Sequence, residues 1–89
     1  MNAIIAVIGR DQVGIMARIS AVCAENNANI IDVNQTVMQN YFSMIMLAEI
    51  SGLSCDFGEF TKKVAAAGEE FEMTVHVMHE DIFKSMHRV

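Results

Sequence analysis

Residues 3–15 read AIIAVIGRDQVGI, and the character of the chain changes at Gly9. The six residues before this glycine are all apolar and four of them are β-branched, a pattern typical of a buried strand. Beyond Gly14 the apolar residues recur three or four positions apart, which places one group on a single helix face: Ile15, Ile19, Val22 and Cys23. The stretch therefore predicts a strand that passes through a glycine-bounded loop into an amphipathic helix.

Two more strands are predicted after this helix. Asn26 and Asn27 end the helix, and the patterns over Ile30–Met38 and Phe42–Ile50 are typical of strands. Residues 39–41 between them have the right length for a hairpin. The two strands are therefore expected to lie side by side and antiparallel.

A second helix and a fourth strand complete the pattern. Asp56 and Glu59 are spaced as in a capping box, which marks a helix start. Apolar residues then repeat at helical intervals: Phe57, Phe60, Val64, Ala67 and Phe71. Glu72–His79 is predicted to be a strand, and residues 80–89 a short C-terminal helical tail. The tail places three apolar residues on one helical face: Ile82, Phe83 and Met86.

The predicted order is β-α-β-β-α-β followed by the tail, within a single domain spanning residues 1–89. A chain of 89 residues fits one domain. Two split β-α-β units form the ferredoxin-like sandwich of the α+β class. We therefore expect a four-stranded antiparallel sheet with two helices on one face, plus a short C-terminal helix.

The hydrophobic content predicts self-association. Hydrophobic residues make up 53% of the chain, which is high for so small a domain. The third strand carries apolar residues on both faces, although a two-layer fold leaves one sheet face without helices. Neither Ile30–Met38 nor Glu72–His79, the expected edge strands, contains a proline or a lysine that would discourage pairing. We therefore expect a homodimer, paired edge to edge or packed face to face, with the tail docked on the sheet or on the other subunit.

The charge excludes several classes of partner. The formal net charge is −5, and Lys62–Lys63 is the sole adjacent basic pair. Because nucleic acids and anionic membranes are bound through basic clusters, neither is expected as a partner. The start of the chain has no basic segment and no long apolar stretch, so we expect a cytoplasmic protein. Cys23 and Cys55 form neither a metal-binding pair nor a disulfide framework.

The segment Gly9–Gly14 offers chemistry for a small ligand. Its glycines permit close approach of a ligand to the backbone. The start of the following helix presents free amides and a partial positive charge to an anion such as a carboxylate. Asp11 suits an ammonium group, so the segment has features for both ends of an amino acid zwitterion. The same residues also fit a plain strand-to-helix turn in which Asp11 is a solvated capping residue.

The same segment resembles the opening of an ACT domain. In that family an Asp or Asn stands three residues before a glycine after the first strand, as Asp11 and Gly14 do here. Asn29 and Ile30 match the Asn-Ile pair that commonly opens the second strand, whereas Val13 stands where many ACT domains have proline. Further positions are similar to a family of small stand-alone bacterial ACT proteins, which is itself similar to the ACT halves of the glycine cleavage system transcriptional repressor: Asp32, Gln35, Thr36, 42–44 and 82–86.

The resemblance implies a ligand site at a subunit interface. In amino-acid-binding ACT domains, the ligand touches the loop after the first strand of one chain and the second strand of another. Carried over by position, the ligand-binding residues are Gly9, Asp11, Gln12, Val13, Gly14 and Asn29. Asn29 would hydrogen-bond through its side chain, and the matches at Gln12 and Val13 are weaker. We also expect the loop and the opening of the second strand to lie at the same end of the sheet.

The expected function is that of a non-enzymatic, regulatory ACT domain that senses an amino acid or a similar small metabolite. The resemblance implies no cofactor, and the expected partners are a second copy of the chain, the small molecule and a regulated protein. The alternative is a protein–protein interaction module without a working small-molecule site. A fold-level resemblance of this kind is a poor guide to the identity of a ligand.

Catalytic and metal-binding alternatives have less support. Acylphosphatase also has a glycine-bounded loop after its first strand, but Asp11 would repel phosphate and Arg18 lies one residue out of register. The serines lack the glycine setting of a nucleophile elbow. His76 and His79 would point to opposite faces of a strand, and His87 would need the tail to fold back, so no metal site is expected.

Overall fold

The structure, a computed structural model, describes residues 1–10 and 13–86. In chain order its elements are β1 Asn2–Arg10, α1 Ile15–Glu25, β2 Asn29–Met38, β3 Tyr41–Glu49, α2 Phe57–Glu69, β4 Thr74–His79 and α3 Glu80–Met86. The predicted ferredoxin-like β-α-β-β-α-β order with a short C-terminal helix is confirmed.

The strands form an antiparallel sheet in the order β2-β3-β1-β4. Asn2 lies opposite Glu49, and Arg10 lies opposite Tyr41. β2 also begins opposite Glu49, at Asn29, so β1 and β2 run in the same direction. α1 is therefore a crossover that returns the chain to the end of the sheet at which β1 began. We call this end the Asn29 end, and the opposite end, where β1 leaves the sheet, the loop end.

The core lies between one face of the sheet and the helices α1 and α2. The helices contribute buried residues that the apolar spacing predicted: Ile15, Ile19, Val22 and Cys23 from α1, and Phe60, Val64 and Ala67 from α2. The central strands contribute alternate residues: Ala3, Ile5 and Val7 from β1, and Phe42, Met44, Met46 and Ala48 from β3. Burial of each large apolar side chain contributes roughly 1.5–3 kcal/mol to folding. The intervening residues of these strands lie on the other side of the sheet, which we call the open face.

Gly68 sets the distance between α2 and β4. A Cβ placed on Gly68 would lie 2.2 Å from Cγ2 of Val75, and 3.6 Å from the carbonyl oxygen of Met73. This is far closer than two carbon atoms pack in proteins. The glycine therefore permits a helix–strand contact that any side chain would obstruct.

The ends of α2 account for two differences from the predicted pattern. β4 begins at Thr74 rather than at Glu72, because Glu72 has a φ of 57° and its amide donates to the carbonyl of Glu69 in the turn that follows α2. Asp56 occupies the N-cap position in an extended conformation, as the capping-box spacing predicted. Its side chain makes no capping hydrogen bond, so the capping box is correct in position and wrong in its hydrogen bonding.

The hairpin between β2 and β3 sets the register of β2. Its turn is Gln39–Asn40, one residue shorter than predicted, because Tyr41 already pairs with Met38. The register shifts between Ile30 and Asp32, where β2 bulges. The bulge brings Asn29 opposite the last residue of β3.

The open face carries apolar residues, as the alternation in the third strand predicted. Ile8 is 49% exposed and Ile45 is 40% exposed. Ile4 lies on the same face, nearer the Asn29 end, yet it is buried, because α3 contacts β1 and β4 there. Within α3, Phe83 is half-buried but Ile82 is 52% exposed. Ile82 is therefore not covered by its own chain, and docking of the tail on a second subunit stays a prediction.

Candidate functional site

The start of α1 has the geometry of a small anion site. Gly14 stands at the N-cap position with a φ of 93°, which glycine adopts without strain. The amide of Arg18 donates to the carbonyl of Gly14 at 2.9 Å, so the helix begins at once. Among the described residues no side chain caps this end, and the first turn contains no acidic residue. The first-turn amides therefore have no acceptor among the described side chains, and a helix start of this kind attracts anions through its amides and its dipole. Asp11 and Gln12 lie outside the described residues, so their roles stay predictions.

The glycines and the valine of the predicted loop differ in their surroundings. Val13 is 100% exposed, and Gly14 is exposed beside the ring of Phe71. Gly9 is half-buried, and a Cβ placed on it would lie 2.5 Å from Sδ of Met73. Packing against Met73 is therefore sufficient to explain Gly9. Val13 and Gly14 lie on the surface, where a small molecule can reach their backbone.

Asn29 lies at the other end of the sheet from this loop. It is exposed and opens β2 at the Asn29 end, whereas β1 reaches the loop at Arg10. Eight residue steps of β1 separate the two ends, which is roughly 26 Å of extended strand. The expectation that Gly9–Gly14 and Asn29 share one end of the sheet is therefore wrong for a single chain. The reason is that α1 spans the sheet before β2 begins, as a crossover between parallel strands must.

Glu49 is a charged neighbour of Asn29 that the sequence reasoning missed. It lies directly opposite Asn29 in the β2–β3 register. Hydrogen bonds from the hydroxyl and the backbone amide of Ser51 lower the pKa of Glu49 to about 2. Glu49 is therefore ionised at neutral pH, and its carboxylate forms an ion pair with the Met1 ammonium group at 3.2 Å. Counting back from the hairpin would have placed Ile30 opposite Glu49, because the bulge in β2 has no clear signal in the sequence.

A groove of about 410 Å³ lies between α1 and α2, away from the predicted loop. Three of its polar side chains already form hydrogen bonds: Arg18, Asn26 and Lys63. The Asn26 side chain accepts from Nζ of Lys63 at 2.9 Å and donates to the carbonyl of Val22 at 2.8 Å. Nε of Arg18 donates to Glu70 at 2.7 Å. The groove is thus a polar contact region between the two helices.

The histidines of β4 lie on opposite faces of the sheet, as the strand pattern predicted. His76 pairs with Ala6 on the open face, whereas the His79 ring stacks on Phe57 with a centroid separation of 4.2 Å. His87 lies outside the described residues. Within residues 1–10 and 13–86, no group of three or more metal-ligating side chains comes together.

Comparison with known proteins identifies the family of this chain. Residues 2–78 match a family model described as the ACT domain. The chain belongs to the ACT domain family. This ACT domain is 55% identical over 88 residues to a UPF0237 protein of Methanocaldococcus jannaschii, with 99% of this chain and 98% of the relative covered.

Solved structures share the fold of this ACT domain. An ACT domain protein from Streptococcus pneumoniae matches with a TM-score of 0.80 and 34% identity, over 94% of each chain. A candidate glycine cleavage system transcriptional repressor matches with a TM-score of 0.72 over 86% of this chain and 44% of its own, and its 18% identity shows the fold alone. The resemblance stated from the sequence is confirmed, and the ACT domain is a regulatory, ligand-binding fold in related proteins.

The helices of this ACT domain are short. None of those described is long and apolar enough to cross a membrane.

Proposed function

We propose that this ACT domain is a non-enzymatic, cytoplasmic regulatory protein that senses an amino acid or a similar small metabolite between two copies of the chain. The observation that carries the proposal is the start of α1. There, exposed Gly14 in a left-handed conformation opens a helix whose first turn has no side-chain cap among the described residues. Such a helix start attracts a carboxylate through its amides and its dipole.

The sheet topology supports a site that two chains share. β2 is an edge strand of ten residues, and it carries exposed Ile31 and Val37. Unpaired strand edges of this kind favour pairing with a second copy. In a two-fold pair the two β2 strands run antiparallel, so the partner subunit's Asn29 comes to the loop end of the first chain. One chain cannot make this approach, because its own Asn29 lies at the opposite end.

The chemistry suits an amino acid zwitterion. The amides after Gly14 would bind the carboxylate. Asp11 and the side-chain oxygen of the partner's Asn29 would accept hydrogen bonds from the ammonium group. No cofactor takes part in this binding.

A screen for ligand-induced stabilisation tests the sensing function. Thermal unfolding is measured with each of the twenty amino acids and with common metabolites. A ligand that binds only the folded state adds about 2.7 kcal/mol of stability at a hundredfold excess over its dissociation constant. If no compound raises the melting temperature and calorimetry detects no binding, the sensing function is wrong.

Calorimetry on variants then tests the site. Asn29→Ala and Asp11→Ala each remove a hydrogen bond to a charged group, so each should weaken binding by roughly 1.5–3 kcal/mol. Asn34→Ala is the matched control, because Asn34 is an exposed asparagine in the middle of the same edge strand. Gly14 is less suitable for substitution in this experiment, because any other residue would be strained at its φ of 93°. Equal affinity of wild type and Asn29→Ala would show that the ligand does not reach β2 of the partner.

A protein–protein interaction module remains the second candidate, and the exposed apolar side chains of the open face favour it. Ile8 and Ile45 are large apolar residues in the central strands of the sheet, and both are at least 40% exposed. This surface is distinct from the start of α1, because α1 and α2 lie on the other side of the sheet.

A further inference from the structure

The groove between α1 and α2 ends in a polar contact on each side. At one end Nε of Arg18 donates to the Glu70 carboxylate at 2.7 Å. At the other end Nζ of Lys63 donates to Oδ1 of Asn26 at 2.9 Å. Just over two helical turns separate Arg18 from Asn26, so the two ends are roughly 12 Å apart. The groove volume of about 410 Å³ is in the size range of small-molecule sites.

The middle of the groove is apolar. Val22 of α1 and Ala66 of α2 both line the groove between its two polar ends. Val22 is buried, whereas Ala66, whose side chain is a single methyl group, is exposed. This part of the groove therefore offers an apolar surface with room for a small apolar group.

Glu25 and Lys63 carry opposite charges at the same end of the groove, yet they do not pair. Glu25 lines the groove and directly precedes Asn26, which Lys63 contacts. In the part of the chain that the structure describes, the Glu25 carboxylate takes part in no ion pair and no hydrogen bond. Lys63 has three N–H donors, and Asn26 is its sole acceptor within those same residues. A charged donor and a charged acceptor therefore remain for a ligand that fits between them.

Asn26 fixes the position of the Lys63 ammonium group. The Asn26 side chain is buried, and its Nδ2 donates to the carbonyl of Val22 at 2.8 Å. Its Oδ1 accepts from Lys63 and also from Sγ of Cys55 at 3.5 Å. The amide cannot rotate without breaking these contacts, so it holds Lys63 at the groove before a ligand arrives. A binding group that is already ordered loses less conformational entropy on binding.

We propose that this groove is a second small-molecule site, which binds a zwitterionic amino acid with a small apolar side chain within a single chain. Lys63 donates to the carboxylate of the ligand, and Glu25 accepts from its ammonium group. The side chain of the ligand lies on Val22 and Ala66. Charge-assisted hydrogen bonds of this kind are shorter and stronger than those between neutral groups.

The charges of the groove select a ligand with no net charge. Arg18 is balanced by Glu70 in an ion pair. Lys63 and Glu25 balance each other within the groove. An anion without an ammonium group would be repelled by Glu25, and a cation without a carboxylate would be repelled by Lys63. An amino acid zwitterion satisfies both residues.

The groove site goes beyond the proposed sensing site and does not depend on it. Lys63 and Glu25 lie near the end of α1, whereas the sensing site uses the start of that helix. All of the groove residues belong to one chain, so binding there requires no partner subunit. Asn29→Ala, which should weaken binding at the sensing site, should leave binding in the groove unchanged.

Titration of the isotope-labelled protein with L-valine, followed by heteronuclear NMR, tests the proposal. The backbone amide signals of Glu25 and Ala66 should shift and then saturate. Lys63→Gln and Glu25→Gln each remove a charged partner, so each should raise the dissociation constant roughly tenfold or more. Lys62→Gln and Glu69→Gln are the matched controls. Both are exposed positions of α2 outside the groove lining, so the dissociation constant should stay at the wild-type value.

Two analogues of valine test the class of ligand. N-acetyl-L-valine lacks the ammonium group and L-valinamide lacks the carboxylate, so each should bind at least about tenfold more weakly than L-valine. If L-valine does not shift the groove signals, or if Lys63→Gln binds it as tightly as wild type, the groove site is overturned. Binding that is lost in Asn29→Ala and kept in Lys63→Gln assigns valine to the sensing site and overturns the groove site in the same way. An analogue that binds as tightly as L-valine overturns the zwitterionic class.

Discussion

Replacing Gly68 with alanine tests the packing that fixes α2 against the sheet. The added Cβ would lie 2.2 Å from Cγ2 of Val75, whereas ordinary van der Waals contact begins at 3.4 Å. The two carbon atoms must therefore separate by about 1.2 Å, the difference between those distances. Val75 is β-branched and stiff about χ1, so it cannot rotate away without strain. Most of the adjustment must come from a shift of β4 or of the end of α2.

Two opposing effects determine the change in stability. Alanine is a better helix former than glycine, by at most about 1 kcal/mol. Overpacking of a well-ordered contact costs roughly 1–3 kcal/mol, and the short distance here places Gly68→Ala at the upper end of that range. We therefore expect a net loss of about 1–2 kcal/mol. For a domain of this size the melting temperature should fall by roughly 5–15 °C.

Urea unfolding of wild type and four variants at one protein concentration measures this effect and assigns its cause. Gly58→Ala is the control, because Gly58 lies in the first turn of the same helix and a Cβ there meets nothing within 4 Å. It should be neutral or stabilising by up to about 1 kcal/mol. Val75→Ala removes the obstructing methyl group. The loss in the free energy of unfolding of the double variant should therefore be about 1–3 kcal/mol smaller than the sum of the losses of the two single variants. If Gly68→Ala is as stable as Gly58→Ala, or if the two sites are additive, the packing argument is refuted.

Three further outcomes are expected. Because the pKa of Glu49 is lowered to about 2 from its ordinary 4.5, its ionised form stabilises the fold above pH 4.5, and this contribution is lost as the pH falls toward 2. The stability difference between wild type and Glu49→Gln in urea unfolding should therefore be largest near neutral pH and vanish near pH 2. Burial raises the pKa of Cys23 to about 11, so a thiol reagent at pH 7 should modify half-buried Cys55 in the native protein and Cys23 only after unfolding. Asn26→Ala should lower the free energy of unfolding by about 1–3 kcal/mol, because it removes a buried side chain that both accepts and donates hydrogen bonds. Asn34→Ala, at an exposed position, should lower it little in the same unfolding assay.

The order of elements could be predicted from the sequence because each element carries a local signal. The spacing of apolar residues changes after Gly9–Gly14, which separates a strand from a helix. Phe60, Val64 and Ala67 repeat at helical intervals, and the structure shows that all three are buried. Once the order is β-α-β-β-α-β, few arrangements of the strands remain. The sheet order β2-β3-β1-β4 is the one that the split β-α-β units predict.

The details that were missed depend on contacts between distant segments. No residue type in β2 indicates the bulge, yet the bulge sets the register that places Asn29 opposite Glu49. In the sequence, Gly68 is simply a poor helix former within a predicted helix. Only its short distance from Val75 shows why a glycine is present. For the candidate site, the resemblance identified residues but not their separation. The start of α1 and Asn29 lie at opposite ends of one chain, which follows from the parallel course of β1 and β2.

This separation makes sensing and association a single event in the proposed function. A ligand that touches the start of α1 and the partner's Asn29 binds fully only when two chains are paired through β2. By thermodynamic linkage, the factor by which pairing raises ligand affinity is also the factor by which ligand strengthens pairing, typically about 5–150-fold.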